Sequence, residues 1–416
     1  MINKYICSNG VRIVHERMPH MRSVALGIWV DAGSGDELDG EEGIAHFIEH
    51  MLFKGTNDRT ARMIAEEFDR LGGDLNAFTS KELTCFYTTV LNEHAEKALT
   101  IMEDMIFHSK FDEEEMEKEK SVVLEEIATV EDTPDDDVHE QLWATMYPED
   151  PVGKSILGNA YTISSFTKQS IQHFMDRLYR PERMVISVAG NYDDNLIRLI
   201  EDLFGAFTSM TEQTKNPLPK IPTFHPNVSK KIKDIEQAHL CLGFSGLNAS
   251  DKRMYDLVIL DSIIGGAMSS RLFQEVREER GLAYSIYSYY TSYKDTGAFI
   301  IYGGTAPEKT IELNETIQMV IHSLGKNGVS EREIENVKEQ VKGGFLLGLE
   351  STESRMYRNG NNEILFKQHK TPDEVVAKIN AVERANVQDM AGLIFNNKHA
   401  ISIIASDEAV DMTNIR

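Results

Sequence analysis

Cysteine is scarce in this chain of 416 residues: Cys7, Cys85 and Cys241 are the only three. An odd number so widely spaced builds neither a disulfide framework nor a Cys-x-x-Cys metal knuckle. Reduced thiols in a cytoplasmic protein are the expectation. Positive charge is also short, with 43 Lys and Arg against 67 Asp and Glu and a net charge of −24. A nucleic-acid binder presents a basic face, so that class is set aside. No apolar run reaches the roughly 18 residues that a membrane span requires. The stretch from Met1 to Val14 lacks the apolar core of a secretory signal and the Arg/Ser bias of a transit peptide.

The remaining composition is that of a soluble globular chain, 41% hydrophobic and 26% charged. The length exceeds one ordinary core and predicts two domains of about 200 residues. The acidic surface favours solubility and attracts cationic partners such as basic peptides. Strands are predicted at Arg12 to Glu16 and Val24 to Val30, with helical periodicity over 42–54, 60–71, 92–109 and 112–131 and strand-like runs at 75–90 and 184–190. Periodicity lapses between about 208 and 230, where Pro217, Pro219, Pro222 and Pro226 cluster. The expected division is a first domain at 1–208, a linker at 209–229 and a second domain at 230–416. The second half weakly repeats the first at an offset of about 216–218 residues. The expected fold class is α+β: two tandem homologous domains, each a mainly antiparallel sheet packed with helices. At that offset Glu126 aligns with Gly344, so the second half lacks whatever Glu126 contributes.

The chemistry concentrates in His46-Phe47-Ile48-Glu49-His50. Two histidines four apart share one helical face and can reach one ion. Glu49 borders that face and suits a general base acting on a water. Ile44, Ala45, Phe47, Ile48, Met51 and Leu52 make the rest of the helix apolar, which predicts burial. Three buried polar groups gathered on one strip are costly without a partner, and a metal ion removes that cost. A catalytic metal wants a third protein ligand from elsewhere in the chain. On the helix over 112–131, Met116, Val122, Val123, Ile127 and Val130 define the expected buried stripe. Glu119 and Glu126 fall inside it and need a partner, whether solvent at the rim or a metal.

His-x-x-Glu-His is the inverted zincin motif. With Glu119-Lys120-Ser121-Val122-Val123-Leu124-Glu125-Glu126 some 75 residues later, the chain resembles the family of pitrilysin, insulin-degrading enzyme and the mitochondrial processing peptidase. The string His50-Met51-Leu52-Phe53-Lys54-Gly55-Thr56 fits the processing-peptidase branch. The resemblance implies one zinc per chain held by His46, His50 and Glu126, Glu49 as the base, and Glu119 as a carboxylate supporting the site. It implies a zinc metalloendopeptidase acting on short or unfolded peptides.

Gly72-Gly73-Asp74-Leu75-Asn76-Ala77-Phe78-Thr79 reads locally as an ordinary hairpin. By resemblance, Asn76 and Ala77 lie on an edge to which substrate adds as a strand. The segment Arg271 to Tyr284 reads locally as a charged amphipathic helix stopped by Gly281. By resemblance, Arg277 anchors a substrate carbonyl and Tyr284 donates to the developing oxyanion. Larger family members carry four such domains in one chain, so two domains imply a dimer, expected to be a homodimer enclosing a chamber, with Arg277 and Tyr284 acting in trans. Two other readings stay open: a noncatalytic peptide-binding or assembly subunit, and a structural zinc protein. The presence of Glu49 beside three ligands argues against the second.

Overall fold

The computed structural model describes residues 2–207 and 221–406. Its strands are β1 (Ile2–Ile6), β2 (Arg12–Arg17), β3 (Ser23–Val30), β4 (Asp74–Thr79), β5 (Thr84–Leu91), β6 (Met184–Gly190), β7 (Val228–Ile232), β8 (Ala238–Ser245), β9 (Ala283–Ser292), β10 (Gly297–Thr305) and β11 (Ala400–Ala405). The helices of the first half are α1 (Ile44–Leu52), α2 (Ala61–Leu71), α3 (Ala95–His108), α4 (Glu113–Asp132), α5 (Pro134–Met146), α6 (Ala160–Ser165), α7 (Lys168–Leu178) and α8 (Asp194–Gly205). Those of the second are α9 (Met254–Ile264), α10 (Thr310–Asn327), α11 (Glu331–Gly348), α12 (Thr352–Leu365), α13 (Pro372–Asn380) and α14 (Arg384–Phe395).

The strands form two sheets, ordered β1-β2-β6-β3-β5-β4 and β7-β11-β8-β10-β9. Each contains one parallel pair, β2 with β6 and β7 with β11, and is otherwise antiparallel. The second order repeats the first from β2 onward, so the repeat seen in the sequence is a repeat of topology, and the α+β class holds. Alternation explains the two faces of the first sheet. Val24, Leu26, Ile28 and Val30 of β3 point into the main core with α1 and α3, while Ala25 and Trp29 point to the other face.

That other face shows what a cut at the linker leaves out. Gly348–His369, including α12, belongs to the first compact unit, and Thr129–Gly153, including α5, to the second. Met356 and Ile364 of α12 pack with Trp29, Val14 and Val185 of the first sheet. Val138, Leu142 and Met146 of α5 pack with Cys241, Ile300 and Ile404 of the second. The two helices sit at equivalent places in the repeat and are exchanged. The expected ranges 1–208 and 230–416 do not follow this exchange. Of the expected linker, 209–220 lie outside the described residues, and β7 begins at Val228, inside the range assigned to it.

Candidate metal centre

α1 is buried by its own composition. Ile44, Ala45, Phe47, Ile48, Met51 and Leu52 are each at most 1% exposed, and His46 and Glu49 are buried with them. Its entry is fixed without a side-chain N-cap: Gly43 adopts φ 92°, a left-handed conformation that favours glycine. A Cβ there would come within 2.6 Å of the Leu157 carbonyl oxygen. Glu37 takes the capping role from a distance. Its carboxylate accepts from the amides of Gly43 and Ala45, both at 3.0 Å. Burial pushes the Glu37 carboxyl up to about 8, against the pull of those two amides and of Lys81.

α4 brings the third ligand candidate. Its buried residues are Met116, Glu119, Lys120 and Val123, spaced as one helical face. This corrects the expected stripe at one position: Val122 is 49% exposed, and the face has rotated so that Lys120 is buried beside Glu119 instead. The rotation follows from partners. Glu119 Oε1 lies 2.8 Å from His50 Nδ1, and Glu119 Oε2 lies 2.5 Å from Lys54 Nζ. Burial raises the Glu119 carboxyl, but these two contacts outweigh it and hold it below its usual value.

His46 Nε2 and His50 Nε2 stand 3.1 Å apart, and Glu126 Oε2 lies 3.8 and 3.7 Å from them. Ligands about 2.0–2.2 Å from one tetrahedral ion are about 3.3–3.6 Å apart, so the triangle fits a single metal ion. Among the described residues, this is the one such group of three. The donor chemistry fits as well. Glu119 accepts a hydrogen bond from the Nδ1–H of His50, which leaves the Nε2 lone pair of the neutral ring directed toward His46 and Glu126. Burial depresses His46 to about 4, helped by the neighbouring His50, so its ring is neutral and able to ligate. Burial lowers His50 too, but the Glu119 hydrogen bond and the surrounding carboxylates raise it overall.

Glu49 sits beside the triangle rather than in it. Burial raises its carboxyl, opposed by the Thr79 hydroxyl, which donates to Oε2 at 2.5 Å. Asn76 and Ala77 lie on β4, the unpaired edge of the first sheet; the Asn76 side chain accepts from the Ala77 amide at 2.9 Å. Arg277 and Tyr284 belong to the second unit and meet each other. The Arg277 guanidinium lies 4.5 Å from the Tyr284 ring and 4.8 Å from that of Phe273. Tyr284 is 79% exposed at the start of β9. Arg277 itself lies on a π-helical turn, Phe273–Glu279, where a regular helix was expected. Sequence reasoning missed Glu37, Lys54 and Thr79. Lys54 follows His50 by four, and Thr79 follows Ala77 by two, so both shared a face with residues already singled out.

Residues 12–160 match the model of the insulinase family, peptidase family M16, and residues 165–341 match that of the peptidase M16 inactive domain. The chain is 50% identical to the uncharacterized zinc protease YmxG of Bacillus subtilis, over 97% of this chain and 98% of that protein. It is 36% identical to an uncharacterized zinc protease of Mycobacterium leprae, over 95% and 89%. A protease from Helicobacter pylori superposes with a TM-score of 0.92 at 20% identity, covering 97% of this chain and 99% of that one. A peptidase M16 inactive domain from Pseudomonas fluorescens does so with 0.90 at 20% identity, covering 99% of each. The last two likenesses concern the fold alone. A two-sheet α+β scaffold with a partly buried His-His-Glu triangle defines the class, and the chain belongs to peptidase family M16, the pitrilysin-like metallopeptidases. Among the described residues, no helix is long and apolar enough to cross a membrane.

Proposed function

We propose that this chain is a zinc-dependent endopeptidase of the processing-peptidase type, acting in the cytoplasm on short or unfolded peptides. The observation that carries the reading is the partly buried triangle of His46, His50 and Glu126 with Glu49 beside it. The names of its relatives support zinc as the metal, one ion per chain. When bound, zinc supplies a Lewis acid that polarises the scissile carbonyl and makes a water easier to deprotonate.

The chain's own groups do the rest. Glu49 accepts the proton of the attacking water and later gives it to the leaving amine. Glu119 fixes the His50 ring through Nδ1. The free edge of β4 at Asn76 and Ala77 receives substrate as an added strand, through backbone hydrogen bonds that tolerate many sequences. The net charge of −24 favours basic peptides. In a homodimer, Arg277 of the partner chain would anchor a substrate carbonyl and Tyr284 would donate to the developing oxyanion.

The test is hydrolysis of a quenched basic peptide with and without a chelator, beside Glu49→Gln. Wild type should cleave, the chelator should stop it, and Glu49→Gln should lose about 100-fold or more in kcat while retaining zinc. Full activity in Glu49→Gln with zinc bound would overturn the mechanism. Peptide binding without cleavage in the zinc-loaded wild type would favour the noncatalytic subunit instead.

A further inference from the structure

The base and the substrate edge are joined by one side chain. Thr79 is the last residue of β4, and its hydroxyl donates to Glu49 Oε2 at 2.5 Å, a short charge-assisted bond. Among the described residues this is the one hydrogen bond that the Glu49 carboxylate makes. The surroundings offer little else to hold it. Cys85 is fully buried beside it, and Tyr179 is 5% exposed. Glu49 itself is 9% exposed, so its rotamer is set by packing and by Thr79 rather than by water.

Strand periodicity places Leu75, Ala77 and Thr79 on one face of β4, and Leu75 and Ala77 both pack against the main core that contains α1. Ala77 and Thr79 are therefore about 7 Å apart along the strand. β4 also anchors the loop that follows it: Ser80 and Lys81 carbonyls accept from the amides of Ser34 and Gly35, which lead to Glu37 and so to the start of α1. The strand offered to substrate and the helix bearing the base are thus tied at both ends of α1's first turns.

We propose that Thr79 is a positioning residue that aims the Glu49 carboxylate, coupling occupancy of the β4 edge to the orientation of the base. A peptide paired to β4 stiffens a strand that is otherwise hydrogen-bonded on one side only, and the hydroxyl transmits that order to Glu49. The benefit then falls on the chemical step and not on binding, because a misplaced base costs rate while the peptide still pairs with the edge. This rests on the peptidase reading above.

The experiment compares Thr79→Val and Thr79→Ser with wild type and Glu49→Gln, all zinc-loaded, on one quenched peptide. Zinc affinity is measured alongside by competition with a chromophoric chelator. Thr79→Val removes the hydroxyl at nearly constant shape and should lower kcat about 10-fold or more, with KM and zinc affinity unchanged. Thr79→Ser keeps the hydroxyl and should restore most of kcat. Wild-type kcat in Thr79→Val overturns the proposal, as does a Thr79→Ser variant as slow as Thr79→Val. A loss of zinc affinity in Thr79→Val overturns it too, because the residue then supports the metal site and not the base. If Glu49→Gln is inactive while Thr79→Val is fully active, only the role of Thr79 falls. If Glu49→Gln is also fully active, the peptidase mechanism falls with it.

Discussion

Glu119 is 3% exposed and is nevertheless held in its charged form, because His50 takes one oxygen and Lys54 the other. A buried carboxylate so paired does two things at once. It satisfies its own desolvation, and it fixes which nitrogen of His50 carries the proton. Glu119→Ala should therefore weaken zinc binding by about 10–100-fold, as outer-shell partners of ligating histidines generally do. Competition titration with a chromophoric chelator checks this, and unchanged affinity would remove Glu119 from the support of the site. His46 has no such partner: its Nδ1 is buried without a hydrogen bond. The two histidines are equivalent in the motif yet unequal in support. The motif showed that they converge, because i and i+4 positions share a helical face whatever surrounds them. It could not show which ring is held by a carboxylate, since that depends on how α4 rotates about its axis. There Val122 of the expected stripe gave way to Lys120, and Glu119 found its partners outside the helix, in His50 and Lys54.

The helices at the scale of whole elements divide in the same way. α1 and α4 were legible because each carries its own signal, an apolar surface broken by a polar strip or a long charged repeat. α12 was not legible as part of the first unit, because an amphipathic helix does not record which sheet it covers. Its packing is specific all the same. Glu363 is fully buried, with Lys4 Nζ at 2.6 Å, His369 Nε2 at 2.9 Å and Arg12 Nη1 at 3.4 Å. At Gly360 the helix backbone rests on the indole of Trp29, and a Cβ there would lie 2.1 Å from Nε1 and 2.3 Å from Cε2. Gly360→Ala gains about 1 kcal/mol of helix propensity. It loses about 1–3 kcal/mol or more to overpacking, because the indole is fully buried and backs onto the sheet. The clash should win, with a melting temperature lowered by several degrees on the order expected for such a loss. Gly343→Ala, on α11 with nothing within 4 Å of the added Cβ, provides the contrast and should be neutral or stabilising. A Gly360→Ala protein as stable as wild type would mean that α12 does not rest on Trp29.

At the scale of the whole molecule, the exchange of α5 and α12 makes neither half of the sequence self-sufficient. The weak repeat was visible because helical and strand-like segments recur in order on either side of the single Pro-rich stretch. The exchange was invisible because it preserves that order and changes only which sheet each helix covers. Its consequence can be argued from the faces it closes. A chain ending at residue 207 would keep the sheet that buries Val14, Ala25, Trp29, Cys85, Val185 and Ala189 but would lack Met356 and Ile364, which cover them. It would keep α5 but not Cys241, Ile300 and Ile404, against which α5 packs. Each large apolar side chain left uncovered forgoes about 1.5–3 kcal/mol, and several together approach the 5–15 kcal/mol that stabilises a typical domain. The unpaired partners of Glu363 add to the deficit, since Lys4 and Arg12 lose their buried carboxylate. Residues 1–207 alone should therefore bind an apolar fluorescent probe and melt without cooperativity, although they contain His46, Glu49, His50 and Glu126. Adding a peptide spanning residues 348–369 should restore a cooperative transition by closing the open face of the sheet. A fragment 1–207 that folds cooperatively without the peptide would show that α12 is dispensable, and the exchange would then be a feature of packing with no bearing on stability.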